Sequence, residues 1–215
     1  SVSGGQKKYN FYSSINYFHN DGLLPNTACT NITFRNNFSY KINNWLEVGN
    51  NLSYFHSTAE PGTRASANVF EWIDATTPGM VPKSPDGRYG MAQTPAGESQ
   101  AGNALLTLET RMGDTYLRNY TGKLFATITP LEGLAIRGSF FIDKTDKDLF
   151  NTSIPADRWN FQTNTRWDLT STATKSLTNR YWKIDRHIVD VFSTYTRTIT
   201  NHSFDLLLGY NQEYY

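Results

Sequence analysis

The side chains best suited to binding chemistry lie in two stretches of low periodicity. In "ANVFEWIDATTPGMVP", Val69, Phe70, Trp72 and Ile73 recur at near-helical spacing before Pro78-Gly79, and "SPDGRYG" then brings Asp86, Arg88 and Tyr89. Aromatic faces stack on sugar rings, while Glu71, Asp74, Asp86 and Arg88 offer partners for hydroxyls or a peptide backbone. The same short helix would also serve simply to pack inside a larger shell or against neighbouring loops. Trp159, Trp167 and Trp182 form a second aromatic group, suited either to a ligand or to a docking partner. The candidate substrate-binding residues are therefore Phe70, Trp72, Asp74, Arg88, Tyr89, Trp159 and Trp167.

Other chemistry finds little support. Asp143, Asp146 and Asp148 in "DKTDKDLF" supply oxygen ligands, but Lys144 and Lys147 interleave and no Gly provides the sharp turn of a calcium loop. His19, His56, His187 and His202 lie far apart without ligand spacing, and Cys29 has neither a second thiol nor a paired base. No nucleophile-elbow pattern occurs. The expectation is no catalytic residue, no metal site and no cofactor: a protein that is not an enzyme. Six N-x-S/T sequons fall mostly within alternating segments, where a glycan would block strand pairing, so none is read as modified.

Twenty basic and nineteen acidic side chains leave a formal charge of +1, which provides no field for nucleic acid. Only 38% of the 215 residues are hydrophobic, yet 14% are aromatic, a composition that favours strands and polar loops. Seven alternating segments follow, near 6–18, 31–42, 45–57, 116–129, 134–147, 183–198 and 203–215. Ile32, Phe34, Phe38, Tyr40 and Ile42 share one face, interrupted by Asn36, and Arg35 and Lys41 share the other. Tight turns are expected at 43–44, 130–133 and 199–202, and long connections at 19–30, 58–115 and 148–182, the latter holding seven of the eight prolines. Turns on one side and long loops on the other are the organisation of an outer-membrane barrel. Aromatics such as Tyr9, Tyr40, Trp45, Tyr54, Tyr116, Tyr120 and Tyr195 gather towards strand ends, where the two membrane interfaces would sit. The apolar face would then meet lipid, and Arg35, Lys41 and Glu47 a wet or plugged interior.

The predicted fold is all-β: an antiparallel transmembrane β-barrel segment of about seven strands with long extracellular loops, located in the outer membrane. Seven strands leave edges that hydrocarbon does not tolerate, so the segment is expected to be part of a larger wall. The opening "SVSGGQKKYN" has no signal-peptide pattern, which suggests that a longer polypeptide is already under way.

"SVSGGQKKYNFYSSINYFHNDGLLPNT" followed by "FRNNFSYKINNWLEVGNNLSYFHS" resembles the front part of the barrel in the SusC/RagA family of TonB-linked outer-membrane transporters of Bacteroidetes, and "RNYTGKLFATITPLEGLAIRGSF" and "HSFDLLLGYNQEYY" continue it. The order of the segments and the turn positions agree as well. The resemblance implies a 22-stranded barrel plugged by an N-terminal domain, a SusD-like surface lipoprotein as partner, and import of oligosaccharides or peptides energised by TonB. No plug, TonB box or final barrel strand is recognised here, so contact with TonB would run through the plug region of a parent molecule. Two rivals from other classes are a barrel-wall and partner-docking piece that touches no substrate, and a soluble all-β binding module or enzyme.

Overall fold

In the computed structural model, residues 1–61, 66–76, 79–91, 103–167 and 175–215 are described. The chain runs β1 (Val2–Gln6), β2 (Tyr9–Asp21), β3 (Thr27–Lys41), β4 (Leu46–Pro61), α1 (Ser66–Ala75), β5 (Tyr89–Gly90), α2 (Ala104–Thr110), β6 (Arg111–Leu131), β7 (Leu134–Ser153), β8 (Arg158–Asn160), β9 (Thr165–Trp167), β10 (Ser176–Ile199) and β11 (His202–Tyr214). Eight of these strands form one antiparallel sheet in the order β1-β2-β3-β4-β6-β7-β10-β11, and β5, β8 and β9 form a second, small sheet. No helix among the described residues is long and apolar enough to cross a membrane, which says nothing of crossing by strands.

The sheet has eight strands, where alternation alone suggests seven. The expected first strand is a hairpin: Val2–Gln6 pairs with Tyr9–Ser13 around Lys7-Lys8, and the Lys41 amide donates to the Lys8 carbonyl at 2.7 Å. Ser and Gly in "SVSGGQ" carry no hydrophobic period, so that strand is visible only through its partner. The connection expected at 19–30 also shrinks, because β2 and β3 pair as far as Asp21↔Ala28. Only Gly22 to Asn26 remain as a turn, closed by the Gly22 amide on the Thr27 carbonyl at 2.7 Å.

Two of the tight turns have an identifiable cause. Asn43 accepts from the amides of Trp45 and Leu46 at 3.0 and 2.8 Å, an Asx turn that starts β4. Gly133 sits at φ 82°, and a Cβ there would meet the Thr196 carbonyl oxygen at 2.1 Å, so glycine is required by both conformation and space.

Period-two alternation carries through the register and sorts the sheet into two faces. Cross-strand rows such as Phe38, Asn50, Leu124, Phe140 and Val189, and Tyr40, Val48, Ala126, Gly138 and Val191, make one face apolar. Asn36, which interrupts that face, donates to Ser13 on the facing strand at 2.7 Å, so the two polar groups satisfy each other. Higher on this face the apolar band ends at the Tyr54–Tyr120 ring pair, 4.9 Å apart, and at the opposite end stands the Leu46–Ile128 pair. The eight steps from Leu46 to Tyr54 span about 27 Å of strand, or about 20 Å of height at a tilt near 40°, comparable with the ~25 Å apolar band of an outer-membrane wall.

The other face carries most of the charged and amide side chains, with Phe125, Phe141 and Phe192 among them. Arg186 reaches Asp143 at 3.9 Å and Glu213 at 3.4 Å, Asn119 donates to Asp143 at 2.8 Å, and Ser139 and Asn211 both donate to Asp190. β6, β7 and β10 run 21, 20 and 24 residues, far beyond the 9–11 that cross a bilayer, so they project past the Tyr54–Tyr120 level and carry the loops above it.

Candidate functional site

The two longest connections, 62–110 and 154–175, meet at the projecting end of the wall. β5 from the first lies parallel to β8 from the second, Tyr89 opposite Arg158 and Gly90 opposite Trp159, and β9 pairs with β8 on the other side. The Met91 amide donates to the Trp159 carbonyl at 3.0 Å and continues this join. A tight turn presents β5: the Gly87 amide bonds the Ser84 carbonyl at 2.9 Å, and the Ser84 amide bonds the Arg88 carbonyl at 2.8 Å.

Arg88 is the centre of the polar cluster. Its Nε donates to Asp86 Oδ2 at 2.6 Å and its Nη1 to Asn164 Oδ1 at 3.2 Å, while the guanidinium lies 4.7 Å from the Trp159 ring centre and 5.5 Å from that of Phe161. A planar cation held between two rings and a carboxylate has lost most of its rotamer freedom before any ligand arrives. The Ser84 hydroxyl donates to Asp86, and with the Arg88 amide and guanidinium it holds that carboxyl below its ordinary range.

Beside it, Glu109 at the end of α2 accepts from Lys83 Nζ at 2.6 Å and from the Tyr89 hydroxyl, and Lys83 also lies 4.9 Å from the Tyr89 ring centre. These donors lower the Glu109 carboxyl; Glu109 in turn raises Lys83, and burial with Glu109 raises the Tyr89 phenol. Asn103, 2% exposed, binds three segments together. Its Nδ2 donates to the carbonyls of Pro82 and Gly90 at 2.7 and 2.9 Å, and its Oδ1 caps α2 by accepting from the Leu106 amide at 3.0 Å. Asn26, from the β2–β3 turn, donates to the Leu108 carbonyl at 3.1 Å and ties α2 to the wall.

Of the sequence candidates, Arg88, Tyr89 and Trp159 come together here. Phe70 and Asp74 stand on α1 and are exposed, Phe70 by 56%, whereas Val69 of the same apolar group is fully buried. The side chains of Trp72 and Trp167 lie outside the described residues, as does Pro78. Trp182 is not in a loop: it faces Lys147 across β10 and β7, with Nζ 5.5 Å from its ring. Asn103, Glu109, Phe161 and Asn164 are the residues that sequence reasoning passed over. "NALLTLET" does carry an N-cap signal, but nothing local shows which carbonyls its amide reaches. Among the described residues no three His, Cys, Asp or Glu side chains group as metal ligands.

No family model matches the chain. A TonB-dependent receptor of Formosa agariphila is 23% identical over 155 residues, 71% of this chain and 15% of that protein. Among solved structures, the RagAB peptide transporter superposes with a TM-score of 0.72 at 20% identity over 98% of this chain, and the RagAB peptide importer in its open-open state with 0.71 over 97%. The chain spans 23% of each of those chains, so it matches a part of their length. The resemblance to SusC/RagA transporters is borne out, and the eight-stranded sheet has the fold of a stretch of their barrel.

Proposed function

We propose that this chain is a section of the wall of a TonB-dependent outer-membrane transporter, and that its loop-built end forms part of the vestibule where an oligosaccharide or peptide is captured with a SusD-like lipoprotein. The observation that carries the reading is the two-faced sheet: one face carries an apolar band of near-membrane height from the Leu46–Ile128 pair to the Tyr54–Tyr120 pair, and the other carries the paired charges and amides around Asp143 and Asp190. All tight two-residue turns lie at one end and the loop cluster of Arg88, Tyr89 and Trp159 at the other, which supports an inside and an outside. β1 and β11 each keep one unpaired edge, which hydrocarbon does not tolerate, so neighbouring strands of a parent molecule close the wall. In this reading TonB acts on the parent's plug, and the chain itself performs no covalent chemistry.

The test is uptake by cells that express the parent protein or lack it, fed a protein hydrolysate and a polysaccharide hydrolysate, with each component's depletion followed by mass spectrometry. Depletion that disappears with the gene supports transport, and the pool affected identifies the cargo. Identical depletion in both strains refutes it. The rival reading, a wall and docking piece without substrate contact, predicts that crosslinkers on imported cargo never label residues 79–91 or 158–167.

A further inference from the structure

The apolar face has a second feature at its turn end, remote from the loop cluster: a concavity of about 670 Å³ lined by Gln6, Lys7, Lys8, Tyr9 and Tyr40. Register builds it. Gln6 pairs with Tyr9 and Tyr9 with Tyr40, so these three side chains leave the sheet on the apolar face as one cross-strand row. The Lys41 amide donates to the Lys8 carbonyl at 2.7 Å, which fastens the β1–β2 turn to β3 and keeps both lysines beside the two rings. The next pair up on this face is Phe11 and Phe38, with the Phe11 ring lying across Gly4 of β1. The surface therefore passes from an apolar pair, through two phenol rings, to two ammonium groups. Tyr40 also pairs with Val48, so the turn one and two residues beyond Tyr9 stands level with Leu46, at the end of the apolar band.

Charge on the apolar face differs between its two ends. At and above the Tyr54–Tyr120 pair, Arg118 meets Asp148 at 2.6 Å, and Lys144 and Lys183 share Asp185 at 3.9 and 3.3 Å. At the turn end, Lys7 and Lys8 have no ion-pair partner among the described residues. Glu47 stands opposite Lys41 on the other face, and Glu132 sits in the β6–β7 turn, with β3 and β4 between it and the lysines. The plug expected in the parent sits against the other face, and the strand that extends the wall past β1 joins on the side away from Tyr40, so lipid is left to fill the concavity. Phenol rings and lysine stems suit the level where acyl chains give way to headgroups. Two unpaired ammonium groups beside two phenol hydroxyls complement a phosphate that its own headgroup does not neutralise.

We propose that Lys7, Lys8, Tyr9 and Tyr40 form a docking site for an anionic phospholipid of the leaflet at the turn end, its phosphate on the lysines and its acyl chains over Phe11 and Phe38. The inference rests on the reading of this sheet as a membrane wall and adds a lipid that the wall selects. The experiment uses the full parent protein with the photocrosslinker p-benzoylphenylalanine in place of Gln6, reconstituted in vesicles of equal parts phosphatidylglycerol and phosphatidylcholine, with lipid adducts identified by mass spectrometry. Phosphatidylglycerol adducts are expected to exceed phosphatidylcholine adducts. Their ratio is expected to fall about thirtyfold in Lys7→Gln/Lys8→Gln and to hold in Lys7→Arg/Lys8→Arg, which keeps both charges. Equal capture of the two lipids without the lysine substitutions overturns the proposal, as does an unchanged ratio in Lys7→Gln/Lys8→Gln. Capture of the parent's own polypeptide in place of lipid also overturns it, because protein would then fill the concavity. The same photocrosslinker in place of Leu124, on the apolar band, separates the two readings. Lipid captured there without selectivity at position 6 removes only this site, and no lipid captured there removes the membrane wall itself.

Discussion

Replacing Asn103 with Ala tests whether the loop cluster is held by one buried amide. The substitution removes donors to the carbonyls of Pro82 and Gly90 and the acceptor for the Leu106 amide, in a position only 2% exposed. Loss of the cap costs about 1 kcal/mol, and loss of each of the two hydrogen bonds to carbonyls about 1 kcal/mol, giving about 3 kcal/mol in total. Because the sheet's own ladder is untouched, the loss should appear as local opening of the loops and not as unfolding of the wall. Hydrogen exchange in the full parent protein reads this directly at the amides of Gly90, Met91, Leu106 and Thr107, which bond Pro82, Trp159, Asn103 Oδ1 and the Asn103 carbonyl. An opening free energy lowered by 3 kcal/mol accelerates exchange about 150-fold at these positions. Amides of β6 and β7 in the apolar band, such as Leu124 and Phe140, should keep their wild-type rates. Unchanged exchange at Gly90 and Met91 would refute the reasoning, and acceleration across the whole sheet would show that the loops and wall are one cooperative unit.

The Glu109 knot should hold only in a middle pH range. Its lowered carboxyl contributes stability that is present above the ordinary carboxylate pKa and disappears as pH falls through the depressed value; raised Lys83 contributes stability that is present below the ordinary lysine pKa and disappears as pH rises through the elevated one. Exchange at the Tyr89 and Gly90 amides, corrected for intrinsic rates, should therefore accelerate at both extremes, and a flat profile would count against the knot. Arg88→Met should alter Trp159 emission and cost less than ~1 kcal/mol, since the pair with Asp86 is largely exposed. Leu124→Arg, on the apolar face, should cost ~2–4 kcal/mol in refolding from urea into lipid vesicles, whereas Thr121→Arg on the polar face should cost far less. Equal costs would mean that the faces have been assigned the wrong way round. Gly133→Ala should destabilise the β6–β7 turn, measured by the same refolding, because both its φ and the Thr196 carbonyl exclude a Cβ.

The sequence by itself determined the sheet and its two faces. Alternation is a local property: Ile32, Phe34, Phe38 and Tyr40 fall on one side of any extended strand, and Asn43 makes its turn with residues two and three positions on. It failed where local pattern is silent. Val2–Gln6 lacks a period, and the far ends of β2 and β3 are extended by their partners and not by their own residues. The candidate site was legible only in its residue types. Arg88 and Trp159 lie 71 positions apart in the sequence, and only the β5–β8 pairing, the Asn103 amide and the closure of two long loops put one over the other. The concavity of Lys7, Lys8, Tyr9 and Tyr40 is of the same kind. Two lysines in a turn and a tyrosine at each strand end are ordinary in their own segments, and the pairing of β1, β2 and β3 gathers them onto one surface. Periodicity is fixed along the chain, but register and loop closure are settled between distant segments, and those decide which groups meet.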